Sequence, residues 1–94
     1  MPERTVVIAS RTGLHARPAK LFVQAAAAQG VPVRIRLGAG RSVPANSMLA
    51  VMALGAEHGA EVVLEAEGPG ADAALDSLAG LLSRDLDAEE APHA

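Results

Sequence analysis

The chain has 94 residues, and half of them are hydrophobic, which suits one compact domain with a modest core. It has no cysteine, so no disulfide supports the fold, as is usual in a reducing compartment. Glu3 and Arg4 precede only four apolar residues, too few for a signal-peptide core, and no apolar stretch reaches the roughly 20 residues of a membrane helix. We therefore expect a soluble, cytoplasmic protein.

Charge is unevenly distributed along the chain, whose net charge is −3. Residues 1–41 carry seven basic side chains and one acidic one, whereas residues 42–94 carry ten acidic side chains and one basic one. For Arg34 and Arg36 we favour neutralisation by acids of the second half. Arg11, Arg17 and Lys20 flank a histidine, which favours a basic site for an anion or an acidic partner.

The first half of the chain predicts a strand, a helix and two strands. RTVVIAS, residues 4–10, is short and β-branched, as in a strand. Apolar residues at helical spacing then predict a helix over about residues 16–29, which Gly30 ends. VPVRIRLGAG alternates apolar residues with arginines and predicts a strand with one buried and one charged face. A short third strand ends at Pro44.

The second half predicts a short helix, a strand and a final helix. Asn46 or Ser47 can cap the helix in SMLAVMALG. AEVVLEAEG alternates again and predicts a strand with Val63 on the solvent face beside the glutamates. The last helix has Asp72 in its first turn and an apolar stripe. The order βαββαβα predicts an α+β fold. DLDAEEAPHA, residues 85–94, has almost nothing to bury and is expected to be a frayed tail.

His15, in TGLHARPAK, lies where a turn meets the first predicted helix. Pro18 fits the first turn, because its missing N–H would have no partner there. The backbone N–H groups near Ala16 and Arg17 point outward and, with the helix dipole, form an anion site. The Arg17 guanidinium and the Thr12 hydroxyl add donors for phosphate oxygens.

These features suit a phosphate attached to the His15 imidazole. A phosphorylated imidazole nitrogen releases its phosphoryl group readily, whereas a seryl phosphate is a stable ester. A histidine can therefore both accept a phosphoryl group and pass it on. The local chemistry favours a phosphoryl carrier.

With these residues the sequence resembles the HPr family, the histidine-containing phosphocarriers of the bacterial sugar phosphotransferase system. The resemblance covers residues 4 to about 84: GLHARPA around His15, SMLAVMALG at residues 47–55, and EG followed by DAAL entering the last helix. It implies an open-faced sandwich, with a four-stranded antiparallel sheet in the order 1-4-2-3 and three helices on one face. Residues 1–87 would form the phosphocarrier domain, and residues 88–94 an acidic, flexible tail.

The resemblance also implies a reaction cycle. Phosphate would pass from phosphoenolpyruvate through enzyme I to His15, as pros-phosphohistidine, and on to a sugar-specific enzyme IIA. Arg17 would contact the phosphate, and Ser47 is the position that many members phosphorylate for regulation. Relatives with a serine kinase often have lysine before this serine, and Asn46 replaces it here. The family implies a stoichiometric carrier rather than a turnover enzyme, and we expect a monomer with no cofactor and no metal.

Other candidate residues have two interpretations each. Ser47 is first of all a helix cap and only second a kinase target. Met48, Leu49 and Met52 are either core or, together with Lys20, a docking patch for partner proteins beside the histidine. His58 is expected in a loop and His93 in the tail, and neither has neighbours that suggest a metal site.

Two function classes are disfavoured by the sequence. A hydrolase using Ser47 and His15 would need a G-x-S-x-G turn or a nearby acid, and neither is present. A DNA-binding module would need a basic recognition helix, whereas the last helix is acidic. A regulatory HPr-like phosphohistidine protein, not dedicated to sugar transport, is the alternative that the sequence leaves open.

Overall fold

The computed structural model describes residues 2–86. In chain order its elements are β1 (Glu3–Val7), α1 (Ala16–Ala27), β2 (Val33–Leu37), β3 (Val43–Pro44), α2 (Met48–Ala53), β4 (Glu61–Ala66) and α3 (Ala71–Leu82). The predicted order βαββαβα is confirmed. None of the helices within residues 2–86 is long and apolar enough to cross a lipid bilayer.

The four strands form one antiparallel sheet in the order β1-β4-β2-β3, as the family resemblance implies. β4 is a central strand, with Leu64 opposite Arg4 of β1 on one side and opposite Ile35 of β2 on the other. The short β3 pairs with β2 at the sheet edge. β4 therefore joins the N-terminal strand to the middle of the chain.

The core lies between the apolar face of the sheet and the helices. Ile35 and Leu64 of the sheet are fully buried, as are Leu75 and Leu78 of α3. Phe22 of α1, the one aromatic residue of the chain, is also fully buried in this cluster. The alternation in the strands and the helical spacing in α1 and α3 thus correspond to one shared apolar interior.

The outer face of the sheet carries an ion-pair network around Arg36. This side chain pairs with Glu65 and, at 3.3 Å, with Glu3. The hydrogen bond to Glu3, followed by that to Glu65, raises the pKa of the Arg36 guanidinium above its usual value. Arg34 lies opposite Glu65 in register but donates instead to the Ser42 hydroxyl and carbonyl oxygens. The expected neutralisation by acids therefore holds for Arg36 and is wrong for Arg34.

Two further expectations need correction. Val63, predicted on the solvent face, is only 9% exposed. Because β4 is central, neighbours lie on both sides of Val63, Thr5 in β1 and Arg36 in β2. Leu86, assigned to the frayed tail, is 1% exposed. Residues 87–94 lie outside the described residues, so the tail at 88–94 and the domain boundary at residue 87 stay predictions.

Candidate functional site

His15 occupies the N-cap position of α1. Its backbone is extended, with φ −146° and ψ 159°, and its side chain forms no capping hydrogen bond. The imidazole is exposed. The imidazole of His15 therefore takes no part in helix capping and faces solvent at the helix N-terminus.

The loop before His15 is held by backbone hydrogen bonds. The Gly13 N–H donates to the Ser10 carbonyl oxygen at 2.9 Å, which closes a turn, and the Leu14 N–H donates to the Ala56 carbonyl oxygen at 2.8 Å. Leu14 itself is buried, which anchors the residue adjacent to His15 in the core. Thr12 lies exposed in this turn.

The first turn of α1 supplies the backbone donors of the site. Ala16 and Arg17 are its first two residues, and N–H groups at such positions have no intrahelical acceptor. Ala16 has φ +50°, the only non-glycine residue with positive φ among those described. This left-handed conformation costs about 1–2 kcal/mol for an L-residue. Pro18 lies in the same turn, as predicted from its missing N–H, and its side chain is buried.

The basic side chains around His15 differ in their surroundings. Within residues 2–86, Arg17 and Lys20 form no ion pair, and both are exposed on α1. Arg11 instead pairs with Asp85 at 3.3 Å, so part of its charge is neutralised. Of the three basic residues assigned to the site, Arg17 and Lys20 are therefore the ones available to an anion.

Helix α2 is linked to the His15 loop by the hydrogen bond from the Leu14 N–H to the Ala56 carbonyl oxygen. Ala56 follows Leu54, the C-cap residue of α2, by two positions. The Ser47 hydroxyl accepts a hydrogen bond from the Ala50 N–H at 3.2 Å, which confirms that this serine caps α2. Leu49 is 84% exposed. Met48 and Met52 are half-buried and pack against the core, which supports the core interpretation of these methionines, whereas their part in docking stays a prediction.

Sequence reasoning missed Ser10 and its contact with His58 near the loop. Ser10 is buried, and its carbonyl oxygen lies 3.2 Å from Nδ1 of His58. His58 lies in the loop before β4, as predicted, and its ring is bonded to the backbone next to the site. A single serine after a strand belongs to no sequence pattern from which its burial or its contacts could be predicted. Among residues 2–86, no group of three or more metal-ligating side chains occurs, and His93 lies outside that range.

Comparison with known proteins identifies the family. The family described as "PTS HPr component phosphorylation site" matches residues 2–84. The phosphocarrier protein HPr of Streptomyces coelicolor is 52% identical over 92 residues, which cover 98% of this chain and 97% of that protein. The crystal structure of HPr-C-His from Thermoanaerobacter tengcongensis matches with a TM-score of 0.81 at 39% identity, covering 87% of this chain and 91% of that chain.

A second structure from Thermoanaerobacter tengcongensis, described as an HPr dimer, has a TM-score of 0.65 at 40% identity. It covers 86% of this chain and 92% of that chain. The family match spans most of the chain, and the Streptomyces relative has the same residues at about half of the aligned positions. The chain therefore belongs to the HPr family of phosphocarrier proteins.

Proposed function

We propose that this chain accepts a phosphoryl group from enzyme I, derived from phosphoenolpyruvate, on Nδ1 of His15 and passes it to a sugar-specific enzyme IIA. The observation that carries the proposal is the position of His15, exposed at the N-cap of α1 with a side chain that takes no part in capping. Membership in the HPr family supports the same conclusion.

The transfer needs only an imidazole and donors for the phosphoryl oxygens. The neutral His15 nitrogen forms the new N–P bond with its lone pair, while the N–P bond of the donor phosphohistidine breaks and its electron pair returns to the donor imidazole. Backbone N–H groups of Ala16 and Arg17, the Arg17 guanidinium and the Thr12 hydroxyl stabilise the oxygens. Passing the group on restores free His15, so the chain is a stoichiometric carrier and its step uses no cofactor or metal.

Partner proteins dock, in this proposal, on α2 and the adjoining face of α1. Leu49 is an almost fully exposed leucine, and Met48 and Met52 on the same short helix are half-buried. Together with Lys20, which forms no ion pair with any residue of the described range 2–86, they combine an apolar surface with a positive charge on α1. Such a surface fits a partner with an apolar patch and acidic residues around its own histidine.

Ser47 is proposed as a regulatory phosphorylation position on this docking surface. A phosphate there adds nearly two negative charges directly before Met48 and Leu49, where an acidic partner would have to approach. Incubation of the full chain with a serine kinase that modifies HPr tests this step. Incorporation of acid-stable phosphate that Ser47→Ala abolishes is the expected result, and no incorporation would contradict the regulatory role.

We propose that the carrier works as a monomer in the cytoplasm. The dimer described for the Thermoanaerobacter tengcongensis relative makes sedimentation equilibrium at assay concentration the direct test. A monomer mass is expected, and a dimer mass would contradict this part of the proposal.

The proposed function is tested with the full chain, phosphoenolpyruvate and enzyme I. One acid-labile phosphate per chain is expected for the wild type and none for His15→Ala. His58→Ala is the matched control, because it removes another exposed histidine and should keep the phosphate. Acid-labile phosphate on His15→Ala would refute the assignment. Adding enzyme IIA should discharge the carrier, and a phosphorylated chain that no enzyme IIA discharges would support the regulatory alternative.

A further inference from the structure

Ser10, which follows β1, is the only polar residue buried in the part of the chain that the structure describes, with 2% exposure. Its hydroxyl accepts a hydrogen bond from the Leu86 N–H at 2.8 Å and donates to the Arg84 carbonyl oxygen at 3.4 Å. The side chain therefore satisfies two backbone groups of the segment that follows α3.

The backbone of the same residue holds the loop that leads to His15. The Ser10 carbonyl oxygen accepts from the Gly13 N–H at 2.9 Å and is also in contact with Nδ1 of His58 at 3.2 Å. The next bond along the loop is that of Leu14 to Ala56, and His15 comes directly after it. One residue thus connects the C-terminal segment 84–86 with the turn that orients His15.

The neighbouring residue strengthens this connection. Nε of Arg11 lies 3.3 Å from Oδ2 of Asp85, and the Arg11 backbone N–H donates to Oδ1 of the same carboxylate at 3.3 Å. Leu86 is buried although it follows these polar groups. Residues 10–11 and 84–86 therefore form a junction of side-chain hydrogen bonds, an ion pair and an apolar anchor.

We propose that Ser10 is a positioning residue for His15. By joining residues 84–86 to the start of loop 10–14, its hydroxyl holds the loop in the conformation that presents the His15 imidazole to a phosphoryl donor. Without the hydroxyl, the Leu86 N–H loses its partner in a buried setting and the part-buried bond to the Arg84 carbonyl oxygen is lost, which loosens the junction between the segment and the loop. The effect on phosphoryl transfer rests on the proposed function, whereas the effect on loop order does not.

The test compares Ser10→Ala with Ser83→Ala in the full chain. Ser83 is the matched control, because its hydroxyl also bonds a backbone carbonyl, that of Gly80, but makes no described link to the loop. Amide hydrogen exchange is measured at Gly13, Leu14 and Leu86. In Ser10→Ala, exchange should accelerate about tenfold at Gly13 and Leu14 as well as at Leu86, because a local contact has been lost. Ser83→Ala should leave all three unchanged.

Reactivity of His15 is measured with phosphoramidate, which phosphorylates histidine without enzyme I. The His15 nitrogen forms the new N–P bond, the P–N bond of phosphoramidate breaks, and ammonia leaves. The rate should fall about tenfold in Ser10→Ala, because small displacements of a reacting group are costly. A Ser10→Ala chain that is folded, with wild-type exchange at Gly13 and a wild-type rate, would overturn the inference.

Ser10→Cys decides the question if Ser10→Ala does not fold, since the thiol keeps nearly the size of the side chain but is a much weaker hydrogen-bond donor and acceptor. Faster exchange at Gly13 in Ser10→Cys supports the inference, and unchanged exchange there overturns it. Failure of the proposed function is distinguishable: phosphoramidate would then label His15 in the wild type while enzyme I would not. The exchange results stand in either case.

Discussion

Gly13 lies so close to Ala56 that a Cβ atom at position 13 would be 2.5 Å from the Ala56 carbonyl oxygen. Gly13 also has φ +75°, a conformation that side chains other than glycine rarely adopt. The bond between Leu14 and Ala56 adjoins this contact. The loop that carries His15 and the segment that follows α2 are therefore fixed against each other by two backbones in direct contact.

Replacing Gly13 by alanine should destabilise the protein more than the same change at Gly59. Gly59 has φ +85°, but a Cβ there would meet nothing within 4 Å. Gly59→Ala should lower the free energy of unfolding by about 1 kcal/mol from backbone strain alone, and Gly13→Ala by about 3 kcal/mol because the clash adds to it. Urea unfolding measures both, and equal losses would contradict the close approach.

Ala16→Gly should leave the free energy of unfolding unchanged or raise it by up to about 1 kcal/mol. Glycine removes the strain of φ +50°, and that gain offsets its larger entropy in the unfolded chain. Ala27→Gly is the control, because Ala27 is an exposed residue of the same helix and should lose about 1 kcal/mol. Similar losses for the two variants in thermal unfolding would show that Ala16 is not strained.

Arg17→Ala should slow phosphorylation by enzyme I about a hundredfold and change stability by less than about 0.5 kcal/mol. Its side chain is exposed and forms no ion pair within residues 2–86, but it lies two residues after His15. Arg34→Ala removes the same charge from the opposite face of the sheet and should keep the transfer rate. Rapid-quench kinetics measure the rate of phosphorylation by enzyme I for both variants. Equal rates would show that the Arg17 charge takes no part in the transfer.

Ser47→Asp should fold with a free energy of unfolding close to that of the wild type, since a carboxylate can also accept from the Ala50 N–H. Ser47→Ala should lose about 1 kcal/mol, because the cap is removed. In the KM of the carrier for enzyme I, the opposite difference between the two variants is expected. Ser47→Asp should raise the KM, because its negative charge would face the acidic partner surface proposed above, and Ser47→Ala should not. Equal KM values for folded wild type and Ser47→Asp would remove Ser47 from the docking surface.

Leu49→Ala should raise the KM for enzyme I roughly tenfold, as for a buried interface anchor, with stability within about 0.5 kcal/mol of the wild type. Val7→Ala is the control. Val7 is the other large exposed apolar residue among those described, 48% exposed on the outer face of the sheet, away from the helices. Its replacement should leave the KM unchanged. A KM that rises equally in both variants would point to a general loss of apolar surface.

Local patterns along the sequence were sufficient for most of the fold. Helix α1 and strands β2 and β4 follow directly from apolar periodicity, and Ser47 caps α2 as its position predicted. The same information marked His15, because the turn, the proline and the histidine lie within six residues of one another. Such features depend on backbone conformation and hydrogen bonds between near neighbours, which are encoded over short distances.

Long-range contacts decided the features that sequence reasoning missed. Val63 alternates like a solvent-facing residue, and only the central position of β4 covers it. Leu86 appears in an acidic, polar stretch, yet its side chain is buried and its N–H donates to the hydroxyl of Ser10, 76 positions earlier. No local pattern carries such information, since burial depends on which distant segment packs there.

The sequence by itself determined the elements, their order and the histidine at a helix N-terminus, because each depends on the conformational preferences of adjacent residues. Only the tertiary structure decided how that histidine is held. It places Ala56 against Gly13, so that position 13 has no room for a side chain and also has a backbone conformation that favours glycine. It also joins the Ser10 hydroxyl to the backbone N–H of Leu86. These contacts form only when β1, β4 and α3 pack together, so their energies belong to the folded arrangement and not to any one segment.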